Sequence, residues 1–239
     1  MLEDHIVAFA DVLGTSPASQ DPNEAERFAS RLVSLHELLK KPQNSSYDGG
    51  NSIALKFFSD SIIMSGKLSR KENVSIILNK LAKFQAFFAA SGLFLRGGVA
   101  IGGHLHTDTI DFGPALVEAV NIEKHISKDS GKISLSDDLL EYAKHFDFRV
   151  MQDKVDGNVF LDFMSCLDSD VLVDRVRQNI LRETKKLEIS NENSEGWLKV
   201  MAKINWLANY FNFQFPDAEP IPCDCAGYDQ TRFQRNYVR

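Results

Sequence analysis

Apolar positions along this chain follow two periods, and the switch between them marks out the elements. The run His5-Ile6-Val7-Ala8-Phe9-Ala10 continues past a lone Asp11 into Val12-Leu13 and stops at Gly14-Thr15-Ser16-Pro17, which predicts a buried strand. After Asp21-Pro22-Asn23, the residues Phe28, Leu32, Leu35 and Leu38-Leu39 recur at helical spacing over 24–41. Pro42 to Gly50 reads as a turn-rich loop. Residues 53–65 hold two apolar runs joined at Ser59-Asp60, the pattern of a hairpin. Over 70–91, Val74, Ile77, Leu78, Leu81, Phe84, Phe87 and Phe88 form one helical stripe that ends at Ser91-Gly92.

Residues 93–106 are apolar with Gly97, Gly98, Gly102 and Gly103 among them, a strand that another backbone or a ligand approaches closely. Gly113-Pro114 opens a helix to about Ile126, since proline suits a first turn. Ile133–Leu135 follows as a strand, and Ser136 caps a helix to about His145. Phe148–Met151 and Val159–Phe163 form a strand pair around Asp156-Gly157-Asn158. Residues 168–189 and 194–213 are helical, and the tail from Pro216 is expected to be irregular. This order predicts an α/β (α+β) protein with a mixed, largely antiparallel sheet and helices mostly on one face. Residues 1–165 are expected to form the functional domain and 166–239 a helical C-terminal extension.

Composition changes this picture little. The chain has 239 residues, 44% apolar and 25% charged, an ordinary globular balance. Its net charge of −6 implies no general basic patch, so nucleic acid is not an expected partner. Three cysteines, Cys166, Cys223 and Cys225, suggest neither a disulfide framework nor a zinc site. The N-terminus lacks a basic leader region and no run approaches a membrane span, so a soluble, cytoplasmic protein without membrane attachment is expected.

The chemistry concentrates on Asp11 and Asp60. Each sits beside long apolar runs, where a carboxylate is costly to desolvate unless something neutralises it. Capping of their local turns is one reading. The other sets the two strands side by side, with both carboxylates at one end holding one or two hard divalent cations. His104 and His106 alternate on a strand and could face a metal together, but no third ligand is evident nearby; exposed strand-end histidines are expected.

The segment Phe9-Ala10-Asp11-Val12-Leu13-Gly14-Thr15 resembles the first metal motif of class III nucleotidyl cyclases. Lys56-Phe57-Phe58-Ser59-Asp60-Ser61 resembles the second. Leu95-Arg96-Gly97-Gly98-Val99-Ala100-Ile101-Gly102-Gly103 resembles the arginine-plus-glycine strand that follows, and Asp111-Phe112-Gly113-Pro114-Ala115-Leu116-Val117-Glu118-Ala119 the next loop and helix. Four motifs in order over about residues 5–125 are far more specific than any one of them. Ser59-Asp60-Ser61, the Arg96-Gly97-Gly98-Val99-Ala100 run and the Phe112–Ala119 string resemble the pyrimidine cyclases of bacterial Pycsar anti-phage systems in particular.

The resemblance implies a phosphorus–oxygen lyase that converts UTP to 3′,5′-cyclic UMP and pyrophosphate, with cyclic CMP from CTP as the alternative. A catalytically inactive nucleotide-binding regulator is a further reading, and a two-metal nucleotidyltransferase or diguanylate cyclase a rival. Two Mn²⁺ or Mg²⁺ ions per site would be held by Asp11, Asp60 and the Val12 carbonyl. Arg96 would meet the triphosphate, and Lys56 the nucleobase or phosphates. A homodimer with sites at its interface is implied, with the product acting on a separate cyclic-nucleotide-activated effector. The chain departs from the purine cyclases at three positions. Val117 and Asn121 stand where an asparagine and an arginine are usual, and Ile110 stands where an adenine-reading aspartate is usual.

Overall fold

The computed structural model describes residues 1–13, 22–40, 53–190, 195–223 and 231–238. The expected turn at Gly14, the loop from Pro42 to Gly50, Cys225, and Tyr47 and Asn51, two loop positions before the second strand that could reach a base, lie outside them. The elements are β1 (Glu3–Val12), α1 (Pro22–Lys40), β2 (Ala54–Phe58), β3 (Ser61–Lys67), α2 (Glu72–Ala90), β4 (Leu95–His106), β5 (Asp111–Phe112) and α3 (Pro114–Asn121). A π-helical turn, Ile122–Ile126, extends α3. Then come β6 (Ile133–Leu135), α4 (Asp137–Tyr142), β7 (Phe148–Asp153), β8 (Val159–Leu161), a 3₁₀ turn (Met164–Cys166), α5 (Asp170–Ser190), α6 (Glu195–Gln214) and β9 (Phe233–Val238).

Among the described residues, nine strands form one mixed sheet in the order β2-β3-β1-β4-β6-β8-β7-β9, with β5 paired to the far end of β4. The β4–β6 pairing is parallel and the others are antiparallel. The two longest strands, β1 and β4, lie side by side in the middle of this order.

Both faces of β1 are covered, which explains its unbroken apolar run. Ile6, Ala8, Ala10 and Val12 belong to the main core with Val74, Ile77, Leu78 and Leu81 of α2. Phe9 turns the other way, onto Ala100, Ala119 and Ile122. Helices therefore pack on both faces rather than mostly on one. The reason lies at Gly98, where a Cβ would strike the Ala119 carbonyl oxygen and come within 2.6 Å of Ile122 Cβ. The bare glycine lets α3 and its π turn settle directly on the strand. Phe87, counted in the α2 stripe, is exposed, while Phe88 beside it is fully buried.

Gly113 sets the angle between β5 and α3. Its φ of 153° is rare for a residue with a Cβ. A Cβ there would also lie 2.8 Å from His104 Cα and against the Gly103 carbonyl oxygen. Gly113→Ala is expected to cost about 2–5 kcal/mol from backbone strain and overpacking together. Urea unfolding of the two proteins measures this, and a loss below about 1 kcal/mol would show that the loop relaxes freely.

The segment after Cys166 enters the same core. Asn179 of α5 donates to the Ala89 and Ala90 carbonyls at the end of α2 (2.9 and 3.1 Å). Trp206, Tyr210 and Phe211 of α6 are fully buried. Trp206 Nε1 donates to Asp153 Oδ2 (2.9 Å), which Arg232 also engages (2.9 Å). Burial alone would raise the Asp153 carboxyl. The Arg232 and Trp206 hydrogen bonds and the nearby Lys132 charge override it and hold the group below the usual carboxylate range. The tail is not wholly irregular: β9 pairs antiparallel with β7. Phe233 anchors it by stacking edge-on to Trp206 and Phe160. Among the described residues, no helix is long and apolar enough to cross a membrane.

Candidate functional site

The antiparallel register places Asp11 opposite Ser61 on one side and opposite Arg96 on the other. Asp60 sits in the tight turn between β2 and β3, where Ser59 takes a left-handed φ of 56°. The Val12 N–H donates to the Asp60 carbonyl (3.2 Å), and Ser61 Oγ donates to Asp11 Oδ1 (3.4 Å). The end of β1 is thus tied to the hairpin turn, and the two aspartates come together.

Arg96 lies beside them. Its Nη2 is 3.7 Å from Asp11 Oδ2, its Nε is 2.6 Å from Glu123 Oε1, and its Nη1 donates to the Lys128 carbonyl (3.2 Å). Glu123 is almost fully buried on the π turn. A π turn inserts one extra residue into a helical repeat and re-aims the side chains that follow, often at a functional site. The sequence signal for Glu123 is faint: one acidic residue on an otherwise apolar helix face.

Asp11 is pushed from 3.8 up to about 6. Burial is the main cause, and the charges of Asp60 and Glu123 add to it; Arg96 and the Ser61 hydrogen bond pull the other way. Asp11 and Glu123 face the guanidinium, and the charge of Asp60 bears on Asp11. A fourth element contributes to the balance. Lys203 of α6 is half-buried, and its charge couples to those of Arg96, Asp129, Glu123 and Asp11. Desolvation chiefly lowers its pKa. Leu207, one turn along the same face of α6, rests on Gly131 of the loop whose Lys128 carbonyl receives Arg96. Lys203 forms no ion pair within 4 Å among the described residues.

Half-buried carboxylate oxygens with surplus negative charge suit a hard divalent cation. The raised Asp11 pKa fixes the sign of a pH effect. In the metal-free protein the ionised form is disfavoured by folding, so stability is greatest below about pH 4 for this group and falls as pH rises towards 6. A bound cation reverses that preference. Mn²⁺ is therefore expected to raise the melting temperature little at pH 5 and clearly at pH 7.5, as thermal denaturation at fixed Mn²⁺ will show. Equal shifts at both pH values would remove Asp11 from the binding group.

A second cluster forms where β4 meets β5. Lys56 Nζ is 2.7 Å from Asp111 Oδ2 and also donates to the Thr107 carbonyl. His104 Nε2 and His106 Nδ1 lie 3.2 and 2.7 Å from Asp111 Oδ1. The desolvation of Asp111 would raise its pKa. Hydrogen bonds from Lys56 and His106 outweigh it and hold the carboxyl below its usual value. His104 is fully buried, and burial lowers its imidazole pKa. The two histidines are thus not merely exposed strand-end residues. The hairpin register sets His106 opposite Asp111, a pairing that sequence spacing does not reveal.

The structure therefore gathers Asp11, Val12, Asp60 and Arg96 at one end of β1, and places Lys56 with Asp111. Ile110, the position counted as the adenine-reading one, is exposed, and its neighbour Asp111 takes the lysine. Val117 and Asn121 lie on the exposed side of α3.

Among solved structures, the chain is similar to two of a bacterial light-regulated adenylyl cyclase. The first shares 15% identity over 75% of this chain and 99% of that one, with a TM-score of 0.39. The second also shares 15% identity over 75% of this chain and covers 58% of its own, with a TM-score of 0.36. No known family matches the chain, and no curated protein does.

Proposed function

We propose that this chain is a class III-type nucleotidyl cyclase that converts UTP to 3′,5′-cyclic UMP and pyrophosphate as a signal in anti-phage defence of the Pycsar kind. The observation that carries the reading is the meeting of Asp11 and Asp60 at the joined ends of β1 and β3, with the Asp11 carboxyl raised to about 6. In the reaction the ribose 3′-oxygen attacks the α-phosphorus in line and pyrophosphate leaves. The chain's part is to align those groups and offset the charge. Asp11, Asp60 and the Val12 carbonyl would hold two Mn²⁺ or Mg²⁺ ions, which when bound supply the Lewis acidity that eases loss of the 3′-hydroxyl proton and neutralises phosphate charge. Arg96 presents a fixed guanidinium fork beside the carboxylates, and Lys203 a second, half-desolvated cation. Together they suit a triphosphate.

Lys56 and Asp111 would face the base. A donor and an acceptor side by side fit the O4 and N3–H edge of uracil, and equally the N1 and N6 edge of adenine. Manganese with each of the four nucleoside triphosphates, read by mass spectrometry, decides among them. Cyclic UMP as the dominant product is expected. Cyclic CMP would move the base assignment. Metal-dependent nucleotide binding without any cyclic product would make the chain an inactive binder, a reading favoured by Val117 and Asn121.

The same reading implies a homodimer with composite sites, whose cyclic-nucleotide product activates a separate effector in the cytoplasm. Ile110, Phe112 and Val117 are 52%, 62% and 56% exposed on the β5–α3 corner. Apolar side chains grouped in this way suit burial against a second copy.

A further inference from the structure

The hairpin of β4 and β5 builds a donor set unlike the one at Asp11 and Asp60. Alternation along β4 sends His104 and His106 to the same face. The pairing of His106 with Asp111 brings the carboxylate to that face as well. His104 Nε2, His106 Nδ1 and an Asp111 oxygen lie within 4.8 Å of one another. His104 Nε2 lies 3.2 Å from Asp111 Oδ1, close to the edge of about 3.4 Å expected between ligands around tetrahedral zinc, while His106 Nδ1 is hydrogen-bonded to it at 2.7 Å. Small side-chain movements would open the shorter contact.

We propose that His104, His106 and Asp111 form a Zn²⁺ site with three protein ligands and an open fourth position. Two imidazole nitrogens and one carboxylate oxygen are the borderline donors zinc prefers, whereas magnesium and calcium favour oxygen alone. The site is therefore chemically separate from the oxygen-only pair at the other end of β4. The ion would fasten the short β5 to β4. It would leave Asp111 Oδ2 with Lys56, whose Nζ lies 2.7 Å away, so metal occupancy would fix the orientation of that pair. His104 is fully buried, which makes its side chain a rigid ligand, while His106 is partly open to solvent and gives the ion a way in.

The test is equilibrium dialysis of the full chain against Zn²⁺ with Mg²⁺ in excess, together with the visible spectrum of the Co²⁺-loaded protein. One equivalent of zinc per chain and an intense tetrahedral cobalt band are expected. Asp60→Ala should keep both. His106→Ala and Asp111→Asn should each weaken zinc binding at least about tenfold. Thermal melting of the metal-free variants confirms that they fold, with His106→Gln as a second variant if His106→Ala does not. Substoichiometric zinc in the wild-type chain, or zinc binding unchanged in the folded His106 and Asp111 variants, would overturn the assignment. Neither result depends on nucleotide turnover, so it stands apart from the proposed cyclase activity.

Discussion

Asp60→Ala is expected to abolish cyclic nucleotide formation, by at least about 10³-fold in kcat/KM, with the fold intact. Losing a metal-holding carboxylate at such a site removes several kcal/mol of charge stabilisation, and each 1.36 kcal/mol is about tenfold in rate. The structure explains why folding should survive. Asp60 links β1 to the hairpin through its backbone carbonyl, which accepts from the Val12 N–H and is present in any variant. Its side chain lies in a partly exposed turn, outside the core. Removing it also takes away one of the charges that raise the Asp11 pKa. The metal-free variant should therefore be no less stable than the wild type near pH 7. Measured turnover with UTP and manganese, beside urea unfolding of both proteins, checks the two halves. Activity within tenfold of wild type would remove Asp60 from the metal group, and with it the central element of the proposed function.

The second large effect concerns the composite site. Lys56→Ala and Asp60→Ala chains should each be inactive alone, yet regain about a quarter of wild-type activity when mixed in equal amounts and allowed to exchange. The fraction follows from statistics: half of the dimers are mixed, and each mixed dimer has one of its two sites intact. In that site the Lys56-bearing chain supplies the base-facing pair and the Asp60-bearing chain the carboxylates. Phe112→Ser, on the exposed apolar corner, should block the recovery by weakening the dimer. No recovery between chains shown to exchange would place the whole site within one subunit. Lys56→Ala also frees Asp111 from its ion pair, so zinc titration of this variant reports separately on the β4–β5 cluster.

Much of the framework was legible because its signals are local. The apolar run broken only by Asp11 gave β1, and Ser59-Asp60 between two apolar runs gave the hairpin. Gly113-Pro114 gave the start of α3, and the cap at Ser136 is made, with its side chain accepting from the Leu139 N–H. The periodicity of α2 held except at Phe87, whose ring lies off the buried stripe. These features depend on neighbours in sequence, where side-chain period and turn chemistry decide.

What could not be read was the company each residue keeps across the sheet. Glu123 needs the π turn to face Arg96, and Lys203 needs α6 to settle on the loop at Gly131. Asp111 needs the β4–β5 register to meet His106 and Lys56. The strand β9 needs Phe233 to find Trp206, from nearly thirty positions away in sequence. The sequence by itself determined most of the elements, though not β5 or β9, together with the two carboxylates and the expectation of a cation between them, because desolvation cost and periodicity are properties of short segments. Only the tertiary structure decided which charges oppose those carboxylates, that helices cover both faces, and that two histidines share one aspartate. Pairing register and helix docking bring distant residues within a few ångströms, and no local pattern encodes such distances.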